Sequence, residues 1–145
     1  MTEVAFHFNA PDKIQYACRL LRKACASAAQ VVVVGAEESI SALDAALWTF
    51  SATAFVPHCR SDADPAVLQN TPVLLMAADK VPQQWPHHQV LVNLGSELVA
   101  GFESFEKVIE VVTQDDQDKS LARLRWKHYA DRGYPLVRHD LSPKA

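Results

Sequence analysis

The chain has 145 residues, 49% of them hydrophobic and 21% charged, the make-up of one folded domain spanning 1–145 and not of a disordered chain. Its 14 basic and 17 acidic residues leave a net charge of −3, which argues against a protein that coats DNA through many cationic contacts. No apolar run approaches the roughly 20 residues of a membrane helix, and the start lacks the basic-then-apolar pattern of a signal peptide, so a cytoplasmic location is expected.

In chain order, a first strand is predicted at Val4–Phe8. Pro11 then stands near a helix start, where its missing N–H costs nothing. Ile14, Ala17, Cys18, Leu21, Ala24, Cys25 and Ala28 follow at spacings of three and four, one face of a helix. Val31–Val34 is continuously apolar, the mark of a strand buried on both faces of a parallel sheet. A second helix is predicted from Glu38 to Trp48, with Ile40, Leu43, Ala46 and Leu47 inward. Pro57–Pro72 and Asp79–Gln89 read as loops on either side of a strand at Val73–Ala77. A strand at Val90–Leu94 precedes a helix capped by Ser96 with Leu98, Val99, Phe102 and Phe105 apolar. A strand at Val108–Val112 and a helix from Asp116 to Gly133 complete the pattern, the acids at the helix start opposing the positive end of its dipole. This alternation predicts an α/β fold with a mostly parallel sheet, Val31–Val34 central, and helices on both faces.

The usual phosphate cradle needs glycines after a strand. Here the turns read Gly35-Ala36-Glu37-Glu38 and Gly95-Ser96-Glu97, whose acids repel phosphate, and the chain has only 4 glycines. No nucleotide or other cofactor is expected. His58, Cys59, His87 and His88 lack the spacing of a zinc site, so no metal is expected either. The odd set Cys18, Cys25 and Cys59 does not make a disulfide framework; Cys18 and Cys25 fit as small core hydrophobes. His58 beside Cys59 leaves open a small α/β enzyme, although catalytic partners normally come from separated positions.

The last helix is the informative segment. Residues 119–138 hold Lys119, Arg123, Arg125, Lys127, Arg132 and Arg138, with Asp131 as the lone acid. Lys119, Arg123, Trp126 and Lys127 fall at i, i+4, i+7 and i+8 and share one face. Such a face suits a ligand both anionic and apolar. It also suits a solvated charged surface, and spacing alone leaves the two open. A direct single-strand DNA binder using this helix is a further alternative, and the net charge counts against it.

Two blocks carry a resemblance. One is Leu43-Asp44-Ala45-Ala46-Leu47-Trp48 followed by Phe55-Val56-Pro57-His58. The other is Lys119-Ser120-Leu121-Ala122-Arg123, then Trp126-Lys127-His128-Tyr129 and Gly133. Together they resemble the chi subunit family of bacterial DNA polymerase III holoenzyme. The resemblance implies a non-catalytic, Rossmann-like fold without a nucleotide site. It implies pairing with the psi subunit, which leads to the clamp loader, and binding of the acidic, phenylalanine-terminated tail of single-stranded DNA-binding protein (SSB). DNA is then contacted only indirectly, and a helicase of the repair type is a further partner. The implied tail site is Val112, Lys119, Arg123, Trp126 and Lys127, Trp126 standing where one family member carries tyrosine; Arg123 is the best candidate for the terminal carboxylate, because a guanidinium binds it in a two-point fork. Arg138 is expected to matter little. The implied psi surface is Trp48 and Phe55, with a place in the core as the alternative for both. The chain departs most from the family in the loops 60–72 and 79–89 and after Leu136.

Overall fold

A computed structural model describes residues 2–49, 56–60, 63–80, 85 and 87–141. In chain order the elements are β1 (Glu3–Ala10), α1 (Lys13–Ala26), β2 (Val31–Gly35), α2 (Glu37–Thr49), β3 (His58–Arg60), α3 (Pro65–Asn70), β4 (Val73–Ala77), β5 (Val90–Asn93), β6 (Lys107–Thr113), α4 (Asp116–Asp131) and β7 (Leu136–Asp140). The strands form one sheet in the order β3-β4-β2-β5-β6-β1-β7. Every pairing among the described residues is parallel.

Burial explains the strand sequences. β2 lies between β4 and β5, with Val31 opposite Val73 on one side and Val90 on the other. Helices cover both faces there, so neither side tolerates polar residues and all of Val31–Gly35 is buried. On one face, Ala17, Cys18 and Leu21 of α1 pack with Ile40, Leu43 and Leu47 of α2 against the sheet. On the other, Ala122 and Tyr129 of α4 pack with Phe102 and Phe105, and Leu68 of α3 leans on that cluster. Cys18 is a core hydrophobe, Cys25 is half-buried, and all three cysteines are free thiols.

The order of elements matches expectation at β1, α1, β2, α2, β4, β5, β6 and α4, and departs from it at three places. The segment 57–72, expected as loop, contains β3 and α3; Asp64 caps α3 by accepting from the Ala66 N–H at 3.2 Å. No α-helix follows Ser96. The apolar residues there do turn inward, but only Phe102–Ser104 is helical, as a 3-10 turn. Gly101 sits at φ +84, a left-handed conformation that interrupts a right-handed helix. The Asn93 side chain also ties down this loop, donating to the Glu97 carbonyl at 2.8 Å and accepting from the Gly95 N–H at 2.9 Å. Finally, β7 extends the sheet beyond the last helix. It is an edge strand, mostly exposed, and so carries no apolar signature.

Candidate functional site

α4 is anchored at its N-terminus before it presents anything. Asp115 caps it, accepting from the Asp118 N–H at 3.0 Å. Asp118 in turn accepts from the Thr113 N–H at 2.8 Å and the Thr113 hydroxyl at 2.9 Å, and pairs with Lys13 of α1 at 3.2 Å. Burial raises the Asp118 pKa, but the Thr113 N–H, the Lys13 charge and the further hydrogen bonds outweigh it and hold the carboxyl below its ordinary range. One carboxylate thus fixes α4 to the end of β6 and to the opposite layer.

A second anchor lies under the helix. Glu110 stands in the middle of β6, fully buried. Arg125, only 3% exposed, donates Nε to it at 3.0 Å and Nη1 to the Ser96 carbonyl at 2.9 Å. Tyr129 donates its hydroxyl to the same carboxylate at 2.7 Å, and Asn93 donates to it at 3.0 Å. Burial pushes the Glu110 carboxyl up, while the Arg125 charge and the three donors favour its ionised form. The Tyr129 hydroxyl is pushed far up by burial and by this carboxylate. A charge inside a protein is tolerable only when paired and hydrogen-bonded, so this cluster fixes the rotation of α4. It also removes Arg125 from the basic surface to which its sequence position assigns it.

With the inner side so fixed, the outer side faces a groove. The cavity has a volume of about 360 Å³ and is lined by residues of β1, β6, α4 and β7. Its apolar walls are Phe6, Phe8, Val112, Ala122 and Trp126. Phe6 meets Trp126 edge to face, ring centroids 5.1 Å apart. A bulge in β1 between His7 and Ala10, with Asn9 at φ +64, brings Asn9 to the rim. The charged lining residues among the described ones are Lys119, Arg123 and Arg138, with no acid among them. None of the three has an ion pair among the described residues. An apolar pit ringed by uncommitted cations accommodates a chain carrying negative charge and one large apolar side chain.

Val112, Lys119, Arg123 and Trp126 therefore come together as the sequence suggests. Lys127 is exposed on α4 and does not line the groove. Arg138, expected to matter little, does line it: its guanidinium carbon lies 5.0 Å from the Phe8 ring centre and 5.8 Å from that of Trp126. The reason is β7, which runs beside β1 with Arg138 opposite Phe6. Phe6 and Phe8 also escaped the sequence analysis as site residues; their spacing of two in a strand was the available sign that they share a face.

Comparison with known proteins bears on what this groove belongs to. Residues 1–137 match the family described as DNA polymerase III chi subunit, HolC. This chain belongs to that family. The chi subunit of Pseudomonas aeruginosa (strain PAO1) is 32% identical over 146 residues, covering 97% of this chain and 98% of that one. That of Escherichia coli (strain K12) is 28% identical over 123 residues, covering 84% and 81%. Among solved structures, the crystal structure of T4 UvsW is similar with a TM-score of 0.70 at 8% identity; the match takes 97% of this chain and 41% of that one. The C-terminal domain of the DEAD-box protein Dbp5 gives 0.62 at 11% identity, covering 97% and 90%. At such identities these two establish the fold alone.

The other resembling block, around Trp48, is at the other edge of the sheet. Trp48 is 62% exposed at the end of α2, its ring 5.2 Å from that of His58. Phe55 lies outside the described residues. His58 bonds the Val56 carbonyl through Nδ1 at 2.6 Å and Asp44 through Nε2 at 3.0 Å, while Cys59 packs in the core of the opposite face. Adjacent residues of a strand point to opposite sides, so His58 and Cys59 face different layers of the fold. Arg60 is bound to Glu37 at 2.6 Å. Among the described residues no group of three or more His, Cys, Asp or Glu could hold a metal ion, and no helix is long and apolar enough to cross a membrane.

Proposed function

We propose that this chain is a non-catalytic replisome adaptor, whose groove between α4 and β7 takes the acidic, phenylalanine-terminated tail of SSB. The observation that carries the reading is the groove itself: an apolar pit walled by Val112, Phe6, Phe8 and Trp126, with Lys119, Arg123 and Arg138 around it and no acid among the described residues of its lining. The terminal phenylalanine fills the pit, and the cations meet the carboxylates. Lys127, exposed one residue from Trp126, contributes at long range. At the other edge of the sheet, the exposed Trp48, with Phe55, forms the surface for psi, through which the chain joins the clamp loader. A repair-type helicase would use the same surface. The chain acts in the cytoplasm, meets DNA through SSB, and needs no cofactor.

Titration of a fluorescent SSB tail peptide at two salt concentrations tests the reading. The expected result is saturable binding that weakens with salt, because the cations are exposed, and that fails when the terminal phenylalanine is removed. Tight binding of bare oligonucleotide with no affinity for the peptide would instead identify a direct single-strand binder.

A further inference from the structure

We propose that β7 is an acid-released strap: a neutral His7 seats it, a protonated His7 ejects it, and the wall that Arg138 gives the groove leaves with it. The device lies on the face of the sheet opposite the groove. Phe6 and Phe8 of β1 and Arg138 of β7 line the groove, so His7 and His139, which alternate with them, point toward the α1 layer. The two histidines are partners in the β1–β7 register, their rings 4.7 Å apart. From α1, Tyr16 meets His7 edge to face, centroids 5.7 Å apart, and its hydroxyl bonds the His7 Nδ1. Burial holds the Tyr16 phenol above its ordinary pKa, so it stays protonated and donates to a neutral imidazole.

Charge makes this seat conditional. The groups acting on His7 are His139 from β7, Lys107 from β6 and Lys23 and Tyr16 from α1, with no acid among them. Glu3, the acid of β1, is four residues away opposite Lys107, and Asp140 of β7 is bound to Asn9 at 2.9 Å. Burial first, then His139, Lys107 and Lys23, lower the His7 pKa from 6.5 to about 4. The Tyr16 hydroxyl can turn to accept from an imidazolium, but it supplies no counter-charge. β7 is an edge strand, mostly exposed, and pairs only with β1 among the described residues, while β1 keeps β6. Its departure opens His7 to water and removes His139, at no cost to the remaining sheet pairings. A released His7 binds a proton with ordinary affinity and a seated one poorly. The seat is therefore intact above pH 6.5, and between 6.5 and about 4 falling pH favours release by up to about tenfold per unit.

The test follows amide exchange by NMR in the full chain from pH 7 to pH 5. Protection of β7 is compared with that of β5, which carries the same pH dependence of the exchange chemistry. In the unmodified chain β7 should lose protection about tenfold relative to β5, allowing for the solvent that reaches His7. His7→Gln can still bond Tyr16 but does not titrate, and should hold the ratio constant. His139→Gln removes one neighbour that opposes the proton, and should show a smaller fall. An unchanged ratio in the unmodified chain, an equal fall in His7→Gln, or loss of protection by β5 in step with β7 overturns the strap. Its effect on the ligand rests on the tail-binding reading above: an acidic, phenylalanine-terminated peptide should lose affinity from pH 7 to pH 5, and lose less with His7→Gln. Equal losses in the two chains overturn the strap's role at the groove. A peptide that does not bind at pH 7 overturns the tail reading, and amide exchange then decides the strap by itself.

Discussion

The two sides of α4 use the same residue type for opposite ends. On the inner side Arg125 is buried, and its charge is matched by Glu110 at 3.0 Å. On the outer side Arg123 is exposed and faces a groove with no acid among its described lining residues. Both arginines stand on one helix within two residues, so the difference lies in what the sheet places opposite them. Where β6 supplies a carboxylate, the guanidinium holds the fold together. Where β1 and β6 supply Phe6, Phe8 and Val112, it remains for a ligand. A basic helix is therefore not one surface, and its charge count overstates its binding capacity.

The sharpest way to break this contrast is Arg125→Ala. It strands the Glu110 carboxylate in the core, and loss of one partner of a buried pair costs about 3–5 kcal/mol. Urea unfolding followed by tryptophan fluorescence measures it. A loss below about 1 kcal/mol, the range of ordinary substitutions, would mean that the inner cluster does not hold the helix. Trp126→Ala comes next. It should cost about 2 kcal/mol of tail binding, as interface aromatics do, against about 1 kcal/mol of stability from the lost contact with Phe6. Peptide titration and thermal melting separate the two numbers.

Arg123→Ala should reverse the behaviour of Arg125→Ala. Tail binding should fall by about 1 kcal/mol, more at low salt, while the urea midpoint stays within about 0.5 kcal/mol of the unmodified chain. The smallest effect is expected at the helix anchor. The Asp118 carboxyl is held below its ordinary value of 3.8. Its stabilising contribution is thus complete above that value and is lost as the pH falls through the lowered one. Asp118→Asn lacks that contribution, so its stability should decline less steeply with acid below about pH 4. Unfolding midpoints across that range measure the slope, and equal slopes would remove Asp118 as a charged anchor.

What could be read from residues alone follows the same physics. Val31–Val34 and Val73–Ala77 announce themselves because burial on both faces admits only apolar residues. β7 stays hidden because Leu136–Asp140 is an edge, where Arg138 and His139 are as acceptable as valine. The helix expected after Ser96 fails on Gly101, whose left-handed backbone outweighs an apolar spacing of three and four. Spacing sets Arg125 off the stripe of Lys119, Arg123, Trp126 and Lys127 but does not say what it meets. The sign was in another element, where Glu110 is a lone acid amid the apolar residues of Lys107–Thr113. The lining of the groove was legible at Val112, Lys119, Arg123 and Trp126, which lie on the resembling helix and its preceding strand. It was not legible at Phe6, Phe8 and Arg138, whose membership depends on which strands are neighbours.

That neighbourhood also sets when the groove can exist. β1 pairs only with β6 and β7 among the described residues, Glu3 meeting Lys107 and Val4 meeting Leu136. β1 thus has no partner in the sheet among the described residues until β6 has been made. Meanwhile Phe6 and Phe8 remain uncovered, and contacts so distant in sequence are slow to close. The remaining strands, β2 to β5, can pair among themselves earlier, because none of them waits for the last helix. A chain lacking β7 would therefore carry most of the sheet but not the wall of the groove that Arg138 supplies.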